Sequence, residues 1–95
     1  MTAVEVVTIR PKQGALPRLK ELRRTMLAEY HARHPEVTTQ WYEQEDGSIV
    51  DIWIWPDRAS GEAALGDPTT SPTFTNEWQP LVEVISFHWA TPVGA

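Results

Sequence analysis

The sequence predicts an α+β fold in βαββαβ order, a four-stranded antiparallel sheet with helices on one face. Three observations carry that prediction. The two ends of the chain alternate apolar and polar residues with the period of a half-buried strand. Residues 16–34 carry Leu16, Leu19, Leu22, Met26, Leu27 and Tyr30 at three- and four-residue steps, the stripe of an amphipathic helix. Between residues 40 and 55, two aromatic-rich segments flank Asp46-Gly47, a pair that suits the positive backbone dihedrals of a tight type I′ hairpin turn.

Taken in order, residues 4–10 alternate as a strand, and Pro11-Lys12-Gln13-Gly14 ends it. Pro17 fits the first turn of the long helix. Pro35 pushes His34 out of the helical region, so the helix stops there or just before. A hairpin over residues 37–55 follows, holding three of the five Trp. Asp57 suits the cap of a short helix over residues 59–65, punctuated by Gly61 and Gly66. Residues 67–73 form a loop, and residues 74–82 a second helical piece that Pro80 interrupts or begins. Residues 84–93 alternate again, with Ile85, Phe87 and Trp89 on one face and Ser86, His88 and Ala90 on the other.

Ninety-five residues make one domain, spanning 1–95, whose core is modest unless a second subunit extends it. Thirteen acidic against eight basic residues give a net charge of −5, with no basic stripe to neutralise phosphates, so nucleic acid is not expected as a partner. The absence of cysteine excludes disulfides, thiolate nucleophiles and Cys-type metal sites. The first residues alternate where a signal peptide needs an unbroken apolar run, and no stretch is long enough to cross a membrane. A cytoplasmic protein without membrane contact is the expectation.

Right-handed crossovers place the last strand beside the first and the third strand inside the sheet, the ferredoxin-like arrangement. Its helices cover one face, yet Val50, Ile52 and Ile54 share one side of the third strand and Ile49, Trp53 and Trp55 the other. The uncovered face calls for a second copy of the chain, sheet against sheet.

The runs EDGSIVDIWIWPDRASGEAAL and DPTTSPTFTNEWQPLVEVISFH, with HPEV ahead of them, resemble the dimeric α+β barrel superfamily, in particular antibiotic-biosynthesis-monooxygenase-like domains. The likeness lies in a strand ending in Trp, a polar cap with a short Ala-rich helix, and a Ser/Asp-Pro-x-Phe turn, and it covers nearly the whole chain. It implies a homodimer in which two sheets close a barrel. Activities within the family include cofactor-independent oxidation of phenolic polyketides, heme degradation, polyketide cyclisation and lactone isomerisation. Heme-degrading members resemble one another in a first-strand Asn, a second-helix Trp and a proximal His. Here the first strand offers Thr8 and Arg10, Ala64 stands near the Trp position, and Trp78 falls where the His would be. The polyketide-oxidising members place Trp, Asn and Arg around an apolar pocket, parts that Trp78, Asn76 and Arg10 could play.

Such an oxygenase needs a base, donors and a pocket, and no cofactor or metal. His88 would titrate near neutral pH and suit the base, or else bond a backbone carbonyl structurally. Asp51 shares a strand face with Trp53 and Trp55, so it must find a partner or have its pKa raised. An ion pair with Arg10 is the structural alternative to catalysis. His88, Asp51 and Asn76 are therefore the catalytic candidates, and Trp53, Trp78, Arg10, Tyr30 and Trp41 the substrate-binding ones. Trp41 and Tyr42 point to opposite faces. His31 and His34 stand three apart near the helix end, without a third ligand to complete a metal site. Arg18, Lys20, Arg23 and Arg24 read as a basic, solvated helix face. The expected function is oxidation of a small aromatic, polyketide-type substrate by O2. The alternatives are a cyclase or isomerase moving protons with His88, Asp51 or Tyr30, and a non-catalytic dimer binding a small ligand.

Overall fold

β1 (Ala3–Pro11) runs through the middle of the sheet in a computed structural model that describes residues 1–94. β3 (Ile49–Trp55) lies on one side of it and β4 (Val82–Ala90) on the other, with β2 (Thr38–Glu43) beyond β3. Every pairing is antiparallel, in the order β2-β3-β1-β4, as the ferredoxin-like arrangement requires. Period-two alternation decides the faces. Glu5, Val7 and Ile9 of β1, with Ile49, Asp51, Trp53 and Trp55 of β3, turn toward the helices. Val4, Val6, Val50, Ile52 and Ile54 turn away and stay half-buried or exposed.

β4 departs from simple alternation. Thr8 pairs with Ser86 and Ile9 with Val84, so Ile85 is an extra residue with no partner in β1. This bulge switches the side-chain parity, and Val84 joins Phe87 and Trp89 on the helix side in place of Ile85.

α1 (Leu16–Arg33) has Pro17 in its first turn and ends at His34, whose N–H donates to the Tyr30 carbonyl at 2.8 Å. Its buried row is Leu19, Leu22, Arg23, Met26 and Tyr30. Arg23 belongs to this row and not to a solvated basic face, because it stands four residues after Leu19 and three before Met26.

The hairpin turn is not type I′. Gly47 alone has a positive φ, +85°. Its N–H donates to the Gln44 carbonyl at 3.0 Å, while the Gln44 N–H donates to the Ser48 carbonyl at 2.8 Å. A three-residue loop with glycine at the left-handed position results. Asp46 keeps a negative φ and uses its carboxylate to accept from the Ser48 N–H at 2.9 Å.

α2 (Arg58–Gly66) begins at Asp57, whose carboxylate accepts from the Ser60 N–H at 2.7 Å. Gly61 lets this helix sit directly on indole rings. A Cβ there would lie 2.5 Å from Cη2 of Trp89 and 3.0 Å from Cδ1 of Trp55. Gly61→Ala is therefore expected to destabilise the fold by about 1–3 kcal/mol through overpacking. Thermal denaturation checks this, and an unchanged midpoint would mean that Trp89 shifts at no cost.

The loop after α2 is bound to α1. The Glu29 carboxylate accepts from the Ser71 hydroxyl at 2.8 Å and the Thr73 N–H at 3.1 Å, and Arg33 donates to Asp67 and Thr69, each at 3.1 Å. The helical piece expected over residues 74–82 is two short turns, a π-helical turn (Phe74–Trp78) and a 3-10 turn (Gln79–Leu81). Pro80 is the second residue of the second turn, where its missing N–H leaves nothing unpaired. The last strand begins two residues earlier than expected, at Val82, and ends at Ala90. No helix among the described residues is long and apolar enough to cross a membrane.

Candidate active site

A cavity of about 260 Å³ lies between the sheet and the helices. Trp53 and Trp55 stand side by side on its floor because residues two apart on a strand share a face. Their rings stack with centroids 6.2 Å apart and planes at 16°. Tyr30 of α1 meets Trp53 edge-on at 5.0 Å, and Phe74 and Trp78 close the π-turn side. Val84 and Phe87 are 60% and 42% exposed, whereas Met26 at the other end is 1% exposed, so the mouth opens at the β4 edge.

Glu5 is the polar group set deepest among these rings. It is 4% exposed, and its Oε1 accepts from the Trp55 indole N–H at 3.1 Å. Burial pushes its pKa from 4.5 up to about 7, with the nearby Asp51 charge adding to the rise and the Trp55 hydrogen bond opposing it. Near neutral pH its charged and neutral forms are both populated. The Tyr30 hydroxyl is held protonated, by burial first and then by the charges of Glu5, Glu29 and Asp51, so this lining residue carries a donor.

Asp51 is committed to an ion pair. Arg23 donates to both of its carboxylate oxygens at 2.9 Å and to the Thr39 hydroxyl at 2.8 Å, and Thr39 donates on to the Ile52 carbonyl at 2.8 Å. The guanidinium also lies 4.2 Å from the centre of the Trp41 ring, a cation–π contact.

Four of the residues singled out in the sequence thus line the cavity: Asp51, Trp53, Trp78 and Tyr30. Trp41 stands behind it, against Arg23 and 5.8 Å from Trp78, while Tyr42 takes the outer face. Arg10 is not Asp51's partner. It sits at the hairpin end of β1, opposite Glu83 and 3.6 Å from Asp46, whereas Asp51 lies opposite Val7 and meets Arg23. Asn76 is exposed and does not line the cavity, whereas Trp78 and Gln79 do. His88 is exposed and lies opposite Val6, on the sheet face turned away from the helices. The two helix histidines part, His31 bonding the Val37 carbonyl at 2.8 Å and His34 meeting the edge of Trp55 at 5.5 Å.

Glu5, Arg23 and Gln79 were missed as site residues. Glu5 has the strand parity of Val7 and Ile9, and Arg23 lies within the α1 stripe, so both carried a signal in the sequence. Gln79 carried none, since it stands where a π-helical turn gives way to a 3-10 turn within what reads as one helical piece.

The fold of this chain is that of solved antibiotic biosynthesis monooxygenase-like structures. The structure of SnoaB, a cofactor-independent oxygenase from Streptomyces nogalater, matches all of this chain and 97% of its own, with a TM-score of 0.76 and 21% identity. A putative antibiotic biosynthesis monooxygenase from Chloroflexus aurantiacus J-10-fl matches all of this chain and 96% of its own, at a TM-score of 0.73 and 18% identity. A nipsnap family protein with unknown function from Agrobacterium tumefaciens matches 96% of this chain and 87% of its own, at 0.65 and 22%. Identities this low establish the fold and leave the chemistry to the residues. No protein-family model and no curated protein matches the chain.

Proposed function

We propose that this protein is a cofactor-independent oxygenase of a small aromatic substrate of the phenol or anthrone type, working as one domain. The observation that carries the reading is Glu5, a buried carboxylate that titrates near neutral pH on the wall of an aromatic cavity. A general base works best with a pKa near the operating pH. An anthrone CH2 would give one proton to the Glu5 carboxylate, while the Tyr30 hydroxyl donates to the enolate oxygen that forms. The carbanion then bonds O2, and the resulting peroxide takes up a proton. Loss of water turns the CH–OOH carbon into a ketone, so one O2 yields one carbonyl and one water. The likeness to a fold-neighbour that is itself a cofactor-independent oxygenase supports this reading.

Oxygen uptake by metal-free protein on 1,8-dihydroxyanthrone tests it. One O2 consumed per quinone formed is the expected result, and His88→Ala should keep the rate within about twofold because His88 faces away from the cavity. Turnover of a related substrate without O2 consumption would replace the oxygenase with a cyclase or isomerase using the same Glu5 and Tyr30.

The outward sheet face supports assembly as a homodimer. Val4, Val6, Val50 and Ile52 lie together there, and Ile54 is 40% exposed. Light scattering is expected to give twice the 10.8 kDa chain mass, and Ile54→Lys to shift it toward one chain. A wild-type monomer at micromolar concentration would refute the pairing.

A further inference from the structure

Glu5 and Tyr30 each bring to this cavity a polar atom with no protein partner. One Glu5 oxygen accepts from Trp55, and the second has no donor among the described residues. The Tyr30 hydroxyl likewise has none. Neither is a sealed, orphaned atom, since no fully buried side-chain polar atom among the described residues lacks a partner. Both residues line the cavity, one bringing an acceptor and the other a donor.

Positive charge is missing from this wall. Among the described residues, no Arg, Lys or His lines the cavity. Arg23, 5.7 Å from the centre of the Trp53 ring, spends its guanidinium on both oxygens of Asp51, on Thr39 and on the Trp41 ring. Resting on the oxygenase reading above, we infer that the site selects an uncharged aromatic ligand that presents an acidic hydrogen to Glu5, and turns away aromatic carboxylates. A carboxylate entering here would meet the Glu5 charge with no cation to compensate, and like charges brought together in a desolvated site repel strongly. A neutral ring brings no such charge: the O–H of a simple phenol, or the acidic C–H of an anthrone, is turned to the free Glu5 oxygen, and a ring oxygen accepts from Tyr30.

The discrimination depends on pH through Glu5. The titratable groups facing it are Asp51 of β3, paired with Arg23 of α1, and Tyr30 of α1. β4 brings Val82, Val84 and Phe87 to the wall, and α2 brings Leu65, none of which titrates. As pH falls below about 7, Glu5 becomes a carboxylic acid able to donate to an anion, so the bias against carboxylates weakens.

Calorimetric titration of the whole protein with 2-naphthol and with 2-naphthoate tests this. At about pH 8, naphthol should bind at least about tenfold tighter, and the gap should narrow at about pH 5.5. Glu5→Gln, which keeps the acceptor for Trp55, should narrow the gap at pH 8 as well. Equal affinities at pH 8, or no naphthol binding at all, would overturn the inference. Selective naphthol binding without oxygen uptake on the anthrone would remove the oxygenase reading and leave this one standing. Oxygen uptake with equal affinities would do the reverse.

Discussion

Replacing Glu5 by Gln is expected to lower turnover by about 10²–10⁴-fold while making the protein more stable above pH 7. The two effects share one origin. A carboxyl whose folded pKa exceeds its unfolded value holds more protons in the folded state between those values, so stability falls as pH rises through the window. For Glu5 the window runs from 4.5 to about 7, and at ~1.4 kcal/mol per unit it amounts to about 3 kcal/mol, fully lost above pH 7. Asp46, Asp57 and Asp67 act with the opposite sign. Hydrogen bonds from Ser48, Ser60 and Thr69 respectively depress their pKa values, so their contribution is present above 3.8 and lost as pH falls below it. The two windows do not overlap. Urea denaturation at about pH 4.5 and pH 8 should therefore show a wild-type decline that Glu5→Gln abolishes. An identical decline in the variant would mean that Glu5 is not the group titrating. A residue that catalyses at the expense of stability is what a working site leaves behind, whereas a structural carboxylate would lose stability on this change.

What the sequence made legible was local in origin. The α1 stripe, the Pro35 stop, the Asp57 cap and the strand parity of Asp51, Trp53 and Trp55 depend on neighbours within a turn or two of chain, and each is found in the structure. Parity between strands was less accessible. His88 was correctly set opposite to Phe87 and Trp89, but which of those faces meets the helices depends on Trp89 packing against Gly61, a contact 28 residues away in sequence. The bulge at Ile85 is a feature of pairing with β1 and leaves no mark on the alternation itself. Asn76 was expected at the cavity and Gln79 lines it, in a segment that forms a π-helical and a 3-10 turn in place of one helical piece. Arg23 shows a different failure. Grouped with Arg18, Lys20 and Arg24 as one basic face, it differs in direction from Arg24 by the roughly 100° that separates consecutive helical residues. That rotation carries it from solvent into the core.

Arg23→Met is expected to destabilise the protein by about 3–5 kcal/mol, because it leaves the Asp51 carboxylate buried without its cation. Met has the length to fill the channel between Trp41 and Trp53, so loss of packing is the smaller contribution. Removing the aspartate as well separates the two. In Arg23→Met with Asp51→Leu no unpaired charge remains, and most of the lost stability should return. The same double variant reports on Glu5. Asp51 contributes to the rise of the Glu5 pKa, though less than burial does, so its removal should move the lower limb of the pH–rate profile to more acidic pH. Urea denaturation of both single variants and the double variant, with the pH–rate profile of the double, makes these readings together. Arg23→Met within 1 kcal/mol of wild type, on that ~3–5 kcal/mol scale, would show that the pair is solvated enough to contribute little. Recovered stability with an unmoved profile would assign Asp51 to the scaffold alone. Recovered stability with the acid shift would make the buried ion pair a device for holding a charge beside the base, at the end of the cavity remote from the β4 mouth.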